Sequence, residues 1–272
     1  MDIITERVSS LESFANCPKK YSEVPFDWTN AKTIIATGMW DILHLAHQNP
    51  WLALVLANIF STQTVPWLTG SRDNFLKIQL ETMIDKACAW IEEFKDYEKY
   101  FETKNSMIIE WVYVTGSYDC LIIDKDGTYR MFDYKTAANI NYYSNREEKW
   151  QPLIYSYFVM KQFGVDKIKF SYEIYVKGKD NGKVTVVRKT KMLYKDKVNK
   201  VNQEEYIDNV EEKVTSLVRN YRLAKESEFF IPNRYTPSGE QQWCCYYCPL
   251  RTTCNLREWV TLDDETLQEI SF

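Results

Sequence analysis

Glycine and proline are scarce in this chain, eight of each among 272 residues, and no low-complexity tract or internal repeat breaks it up. That scarcity excludes a collagen-like, fibrous or disordered polymer. Basic charge is not in excess either: 34 Lys and Arg face 38 Asp and Glu, a formal net charge of −4. A protein that merely coats nucleic acid gains affinity by neutralising phosphates, and an acidic balance weighs against that role. The balance suits an enzyme whose bound cations offset its own carboxylates. Long apolar runs are missing. The most apolar stretch, residues 51–60, is far shorter than the roughly 20 residues a bilayer demands and suits a buried helix. The opening segment carries Asp2, Glu6 and Arg7 in place of the basic start and apolar run of an export signal. The expectation is a cytoplasmic (intracellular) protein with no membrane partner. In that setting its seven cysteines are thiols or metal ligands rather than disulfides.

Hydrophobic residues make up 45% of the chain and aromatics 15%, enough for a sizeable core. Four stretches differ in texture. Residues 1–30 form a leading segment containing Cys17. Residues 31–104 read as a helical lobe, with apolar side chains at helical spacing in Leu52, Leu56 and Ile59 and again in Leu76, Leu80, Met83 and Ile84. Residues 105–194 turn to β-branched and aromatic runs: strands over 108–115, ending at Gly116, then 118–123 and 128–134, a helix over 147–162 whose regular part is expected to begin nearer Lys149 because Pro152 is best tolerated in a first turn, and a hairpin of 167–176 with 183–192. Residues 195–272 are a charged helical stretch ending in a cysteine-rich tail. The order implies an α/β fold.

The first hairpin carries the chemistry. Its separator, Asp124-Lys125-Asp126-Gly127, suits a three-residue loop with Gly127 in the left-handed region. With that loop Asp124 faces Thr128, and counting back sets Asp119 opposite Asp133, their Cβ atoms roughly 5 Å apart on one face. Lys135, two residues beyond Asp133, shares the face. A two-residue loop would slip the register and send the acids to opposite faces. Adjacent carboxylates repel unless a cation sits between them, and hard oxygen ligands suit Mg²⁺ or Mn²⁺. A cation with a lysine beside it is equipment for phosphodiester hydrolysis. Taken singly, each of the three is an ordinary strand-end polar residue.

In the tail, Cys245-x2-Cys248-x5-Cys254 has metal-ligand spacing and lacks a fourth donor nearby, although Cys244 competes with Cys245. Thiolates alone do not separate a Cys₄ zinc site from an iron–sulfur cluster. Cys88, in a helical run, is expected to be a buried thiol. Cys120 should point to the sheet face opposite Asp119.

Three elements in order, Gly116-x-x-Asp119, Asp133-x-Lys135-Thr136 and Gln151-x-x-x-Tyr155, resemble the RecB-like branch of the PD-(D/E)xK nucleases. The start of the chain, Ser10-x-x-x-Phe14-x-x-Cys17-Pro18-x-x-Tyr21, and the tail Cys245-x-x-Cys248-Pro249-x-Arg251 resemble the iron–sulfur members of that branch, the CRISPR-associated RecB-like and AddB-type exonucleases. The resemblance implies a restriction-endonuclease-like core, a mixed sheet flanked by helices, with an N-terminal helical lobe and a C-terminal iron–sulfur clasp. It implies metal ligation by Asp119 and Asp133, catalysis by Lys135, and support along the DNA path from Gln151 and Tyr155. It also implies a 4Fe-4S cluster on Cys17, Cys245, Cys248 and Cys254, with zinc the rival metal. Glu110 resembles an acid found upstream of the family's G-x-x-D. The family's early histidine corresponds to His44 or to His47, and an imidazole ligand would favour Mn²⁺.

The implied activity is metal-dependent DNA hydrolysis, exonucleolytic, on DNA with single-stranded ends. Protein partners in recombination, repair or CRISPR adaptation are implied as alternatives. Tyr142, Tyr143 and Trp150 are candidates for base stacking, with Arg146 and Lys149 for phosphates. The rival reading is a catalytically silent DNA-binding or complex-assembly subunit that keeps the nuclease fold, and a further rival is a zinc-stabilised interaction protein.

Overall fold

The computed structural model describes residues 3–23, 31–66, 74–137, 150–177, 183–196, 209–228 and Phe230. The chain divides into two compact units. One comprises Met1–Phe26, Met107–Thr115 and Lys213–Phe272; the other comprises Asp27–Ser106 and Gly116–Glu212.

In the first unit, β1 (Ile4–Arg7) leads directly into α1 (Val8–Asn16), and α2 (Pro18–Glu23) follows. Strand β1 runs parallel to the first half of β3 (Val112–Ile123), pairing Ile4 with Val112 and Arg7 with Thr115. No strand was expected in this leading segment, because four residues of alternating but weakly apolar character give little periodic signal. Helix α1 buries Val8, Leu11, Phe14 and Ala15. Phe14 meets Tyr221 of the last helix, α7 (Val210–Ser227), edge to face at 5.2 Å. The Glu6 carboxylate accepts the hydroxyls of both Tyr21 and Tyr221.

Strand β2 (Glu98–Ile109) pairs with β3. The two are joined by Glu110 and Trp111 alone, at φ values of 46° and 67°. A two-residue connection with both residues left-handed is the geometry whose twist matches a hairpin, although asparagine and glycine usually supply it. Without those residues the turn is hard to see in sequence: the single strand expected over 108–115 is broken there, and residues 98–104 of β2 fall in the stretch expected to be helical. Gly116 does not end a strand as expected; β3 continues through it to Ile123.

In the second unit, β3 turns into β4 (Tyr129–Ala137), β4 runs parallel to β5 (Lys167–Lys177), and β5 pairs antiparallel with β6 (Val184–Tyr194). The result is a mixed sheet. Helix α6 (Trp150–Phe163) lies in the crossover between β4 and β5, and residues 152–160 are all buried. Pro152 is the third residue of the described helix. The expected helix start at residues 147–149 lies outside the described residues.

The opposite face is covered by α3 (Ala31–Gln48), α4 (Pro50–Ile59, continuing as a π turn over Phe60–Thr64) and α5 (Asn74–Glu93). Met39, Leu43 and Ala46 from α3 and Leu80, Met83, Ile84, Ala87 and Trp90 from α5 pack with Cys120, Ile122, Phe132, Tyr134 and Tyr175 from the strands. Cys120 thus faces the helices, as the strand alternation required. Two expectations fail here. Helix α4 buries Ala53 and Ala57 and leaves Leu52, Leu56 and Ile59 exposed, because small side chains let it approach its neighbours closely. Cys88 is exposed on α5. The buried Glu173 of β5 is matched by Arg188, whose Nε donates at 2.6 Å while its guanidinium also grips Glu93 at 2.6 and 2.9 Å. Among the described residues, no helix is long and apolar enough to cross a membrane.

The β2–β3 turn generates a stability prediction. Trp111 is 73% exposed and holds a left-handed backbone, so it contributes little packing against a conformational cost of about 1 kcal/mol. Trp111→Gly should raise the unfolding free energy by about 0.5–1 kcal/mol in urea titrations; a loss of that size would show that the indole is an anchor.

Candidate active site

Where β3 meets β4, the loop is the three-residue one. The Asp124 N–H donates to the Thr128 carbonyl at 2.9 Å, the Gly127 N–H donates to the Asp124 carbonyl at 2.8 Å, and Gly127 adopts φ +80°. The strands pair from Ile123 with Tyr129 to Cys120 with Phe132. Asp119 and Asp133 follow immediately, in the register that places them opposite each other. Beyond the paired positions the Asp119 side chain takes over from the ladder, its Oδ2 accepting the Tyr134 N–H at 2.7 Å. Both acids are nearly sealed from solvent, at 6% and 5% exposure.

Lys135 lies on the same strand face as Asp133. Its ammonium is 2.9 Å from Oδ1, to which it donates, and 2.7 Å from Oδ2, which is not aligned to accept. Among the described residues, Lys135 is the cation that faces the two buried carboxylates. Burial and the neighbouring Asp133 charge push the Asp119 carboxyl up to about 7; the nearby His44, Lys135 and the Tyr134 N–H pull the other way. Without a further positive charge, the pair resists full ionisation at neutral pH.

The two histidines separate cleanly. His44 reaches Asp119 from α3, its Nε2 3.4 Å from Oδ2. That nitrogen is buried and, among the described residues, has no hydrogen-bond partner. Its ring lies 3.8 Å from that of Trp40 and 5.5 Å from that of Tyr134, perpendicular to the latter, between centroids. His47 instead belongs to the core. Its Nδ1 bonds the Leu43 carbonyl, its Nε2 accepts the Tyr175 hydroxyl, both at 2.9 Å, and its ring stacks on Tyr134 at 3.7 Å. Burial drives its pKa down to about 3, so it stays neutral.

Sequence reasoning missed Glu102. It belongs to β2, where the alternation of exposed and half-buried residues has little hydrophobic contrast to reveal it. Its carboxylate contacts His44 Nδ1, and one donor atom from each of His44, Glu102 and Asp119 lies within 4.8 Å of the others. Glu110, eight residues on, sits in the β2–β3 turn and is held by Arg219 at 2.9 Å. Gln151 and Tyr155 lie one turn apart on α6, half-buried and buried respectively. Cys17 is half-buried at the end of α1. Cys245, Cys248, Cys254 and Cys244 lie outside the described residues, as do Tyr142, Tyr143, Arg146 and Lys149.

Two buried carboxylates of like charge, an orphaned imidazole nitrogen and an adjoining lysine fit a hard divalent cation. A sequence model of the PD-(D/E)XK nuclease superfamily matches residues 35–255 of this chain. The chain belongs to that superfamily. The mixed sheet flanked by helices is consistent with the PD-(D/E)XK fold. Two solved structures are similar to this member over most of their length. One is SSO0001, 12% identical with a TM-score of 0.39, covering 93% of this chain and 87% of that one. The other is a protein of Eubacterium rectale named "Putative exonuclease", 13% identical with a TM-score of 0.49, covering 89% and 86%. No curated protein sequence matches the chain.

The raised Asp119 pKa has a signed consequence for the metal-free protein. An acid whose folded pKa lies above its unfolded value of roughly 3.9 adds stability in full below that value and loses it as pH rises through about 7. In chelator, Asp119→Asn should flatten the fall in melting temperature between pH 5 and 8. At pH 8 it should exceed wild type by roughly 1–3 kcal/mol. Parallel melting curves for the two proteins across that range would contradict the assignment.

Proposed function

We propose that this PD-(D/E)XK protein is a divalent-cation-dependent deoxyribonuclease, acting as an exonuclease on DNA with single-stranded ends inside the cell. The observation that carries the reading is the buried Asp119–Asp133 pair with Lys135 against it and the bare His44 Nε2 beside Asp119. Asp119, Asp133 and His44 would hold the cation. That set of carboxylate oxygens and one imidazole admits Mg²⁺ and suits Mn²⁺ well. When bound, the cation supplies Lewis acidity to the phosphodiester and lowers the pKa of a neighbouring water.

The protein's own groups do the rest. Lys135 brings a positive charge to the face that receives the phosphate, where it orients the attacking water or steadies charge developing on the phosphoryl oxygens. The Tyr134 N–H fixes the Asp119 carboxylate in place before substrate arrives. Burial of both acids excludes bulk water and strengthens each interaction with the phosphate. Gln151 and Tyr155 border the DNA path in this reading. A 4Fe-4S cluster on Cys17, Cys245, Cys248 and Cys254 would tie the two ends of the chain together, with metal binding coupled to folding.

The test is degradation of end-labelled single-stranded and duplex DNA with Mg²⁺, Mn²⁺ or chelator. Activity should require the cation, and Lys135→Ala and Asp133→Ala should each lower the rate at least about 100-fold while DNA binding persists. Closed circular DNA should survive; its cleavage would replace the end-dependent reading with an endonuclease. Binding without cleavage by wild type under every metal condition would favour the silent assembly subunit. Iron and acid-labile sulfide should accompany anaerobically purified protein, and zinc in their place would overturn the cluster.

A further inference from the structure

We propose that Glu102 is a positioning residue for this site: its carboxylate accepts the Nδ1 proton of His44 and thereby fixes the ring with Nε2 bare and turned toward Asp119. The inference rests on the cation-site reading above and deepens it.

A neutral imidazole carries one proton, on either nitrogen, and only the other nitrogen can bind a metal. Carboxylates flank both ring nitrogens, but only the Nδ1 contact with Glu102 is a hydrogen bond, and a carboxylate offers acceptors alone, so Nδ1 is the nitrogen bearing hydrogen. The proton is thereby placed on Nδ1. Nε2 is left as a buried acceptor without a partner, 3.4 Å from Asp119 Oδ2. Trp40 and Tyr134 confine the ring plane, but neither ring contact selects a tautomer. Glu102 does. The arrangement is a carboxylate–imidazole pair in which the acid acts on the metal through the ring it orients.

The backbone at Glu102 supports the assignment independently. Inside β2 it adopts φ 45°, in the left-handed region that a non-glycine residue rarely occupies. That conformation takes the residue out of ordinary strand geometry at the position whose carboxylate meets His44. Glu102 is also the most solvent-accessible of the group, with 39% of its side chain exposed against 6% for His44 and 7% for Asp119. The oxygen donors sealed from water are thus those of the aspartates. The nearby Asp41, one turn before His44 on α3, has an exposed side chain, and no bond joins it to the ring.

The chain's two histidines make the test direct. Long-range ¹⁵N–¹H spectra of the metal-free protein should show both rings protonated on Nδ1, with His47 serving as the internal reference for an intact core. In Glu102→Ala, and in Glu102→Asn, which suits a positive φ, His44 should move toward the Nε2-protonated form while His47 stays unchanged. Calorimetry should then show Mn²⁺ binding weakened about 10–100-fold. Glu102→Gln, whose carbonyl oxygen still accepts from Nδ1, should keep the tautomer and most of the affinity. An unchanged His44 tautomer in the Ala and Asn variants overturns the proposal, and weakened Mn²⁺ binding beside it would make Glu102 a direct ligand. If wild type binds no Mn²⁺, or Asp119→Asn binds it equally well, the cation-site reading fails; the His44 tautomer then still decides Glu102's role.

Discussion

Two carboxylates are forced together out of water, and the second unit is built around that repulsion. Asp119 and Asp133 do not choose each other's company: the three-residue loop closed by Gly127 sets the β3–β4 register, and the register sets the pair. Strand β4 cannot yield, since β5 is hydrogen-bonded along its other edge from Arg130 to Ala137. Lys135 and the Tyr134 N–H relieve only part of the electrostatic burden. A compact divalent cation would relieve the remainder, because it brings two charges where a lysine brings one. In the proposed reading, that unrelieved repulsion is what would draw a divalent cation to the pair.

The contrast between His44 and His47 shows how closely structural and chemical roles can adjoin. They stand one helical turn apart, and both touch Tyr134. Yet His47 has a partner on each nitrogen and is held neutral by burial, whereas His44 keeps one nitrogen without a hydrogen bond. Satisfaction of both ring nitrogens, rather than burial alone, separates a core histidine from a candidate ligand.

The hairpin was legible because its signals were local. Alternation, an acidic turn ending in glycine and a count of residues sufficed to pair Asp119 with Asp133. Helix α6 and the β5–β6 hairpin were legible for the same reason. Three features were not. Strand β1 gains its identity from β3, more than a hundred residues away, so no local pattern announces it. The Glu110–Trp111 turn uses residues that normally avoid positive φ. Glu102 sits in phase on the exposed side of a strand that alternates only between exposed and half-buried, and its positive φ leaves no mark on the sequence. The apolar surface of α4 misled in the opposite direction: its large side chains suggested a core face, but the helix packs through alanines.

Tyr134 occupies the position written as x between Asp133 and Lys135, a place the motif treats as arbitrary. In this protein its amide anchors one acid, one side of its ring carries His47, and its edge abuts His44. It is therefore a keystone rather than a spacer. Loosening of the helical layer against the sheet would reach the acids through this phenol as well as through His44, so wear in the interior would surface as a displaced site before the molecule came apart.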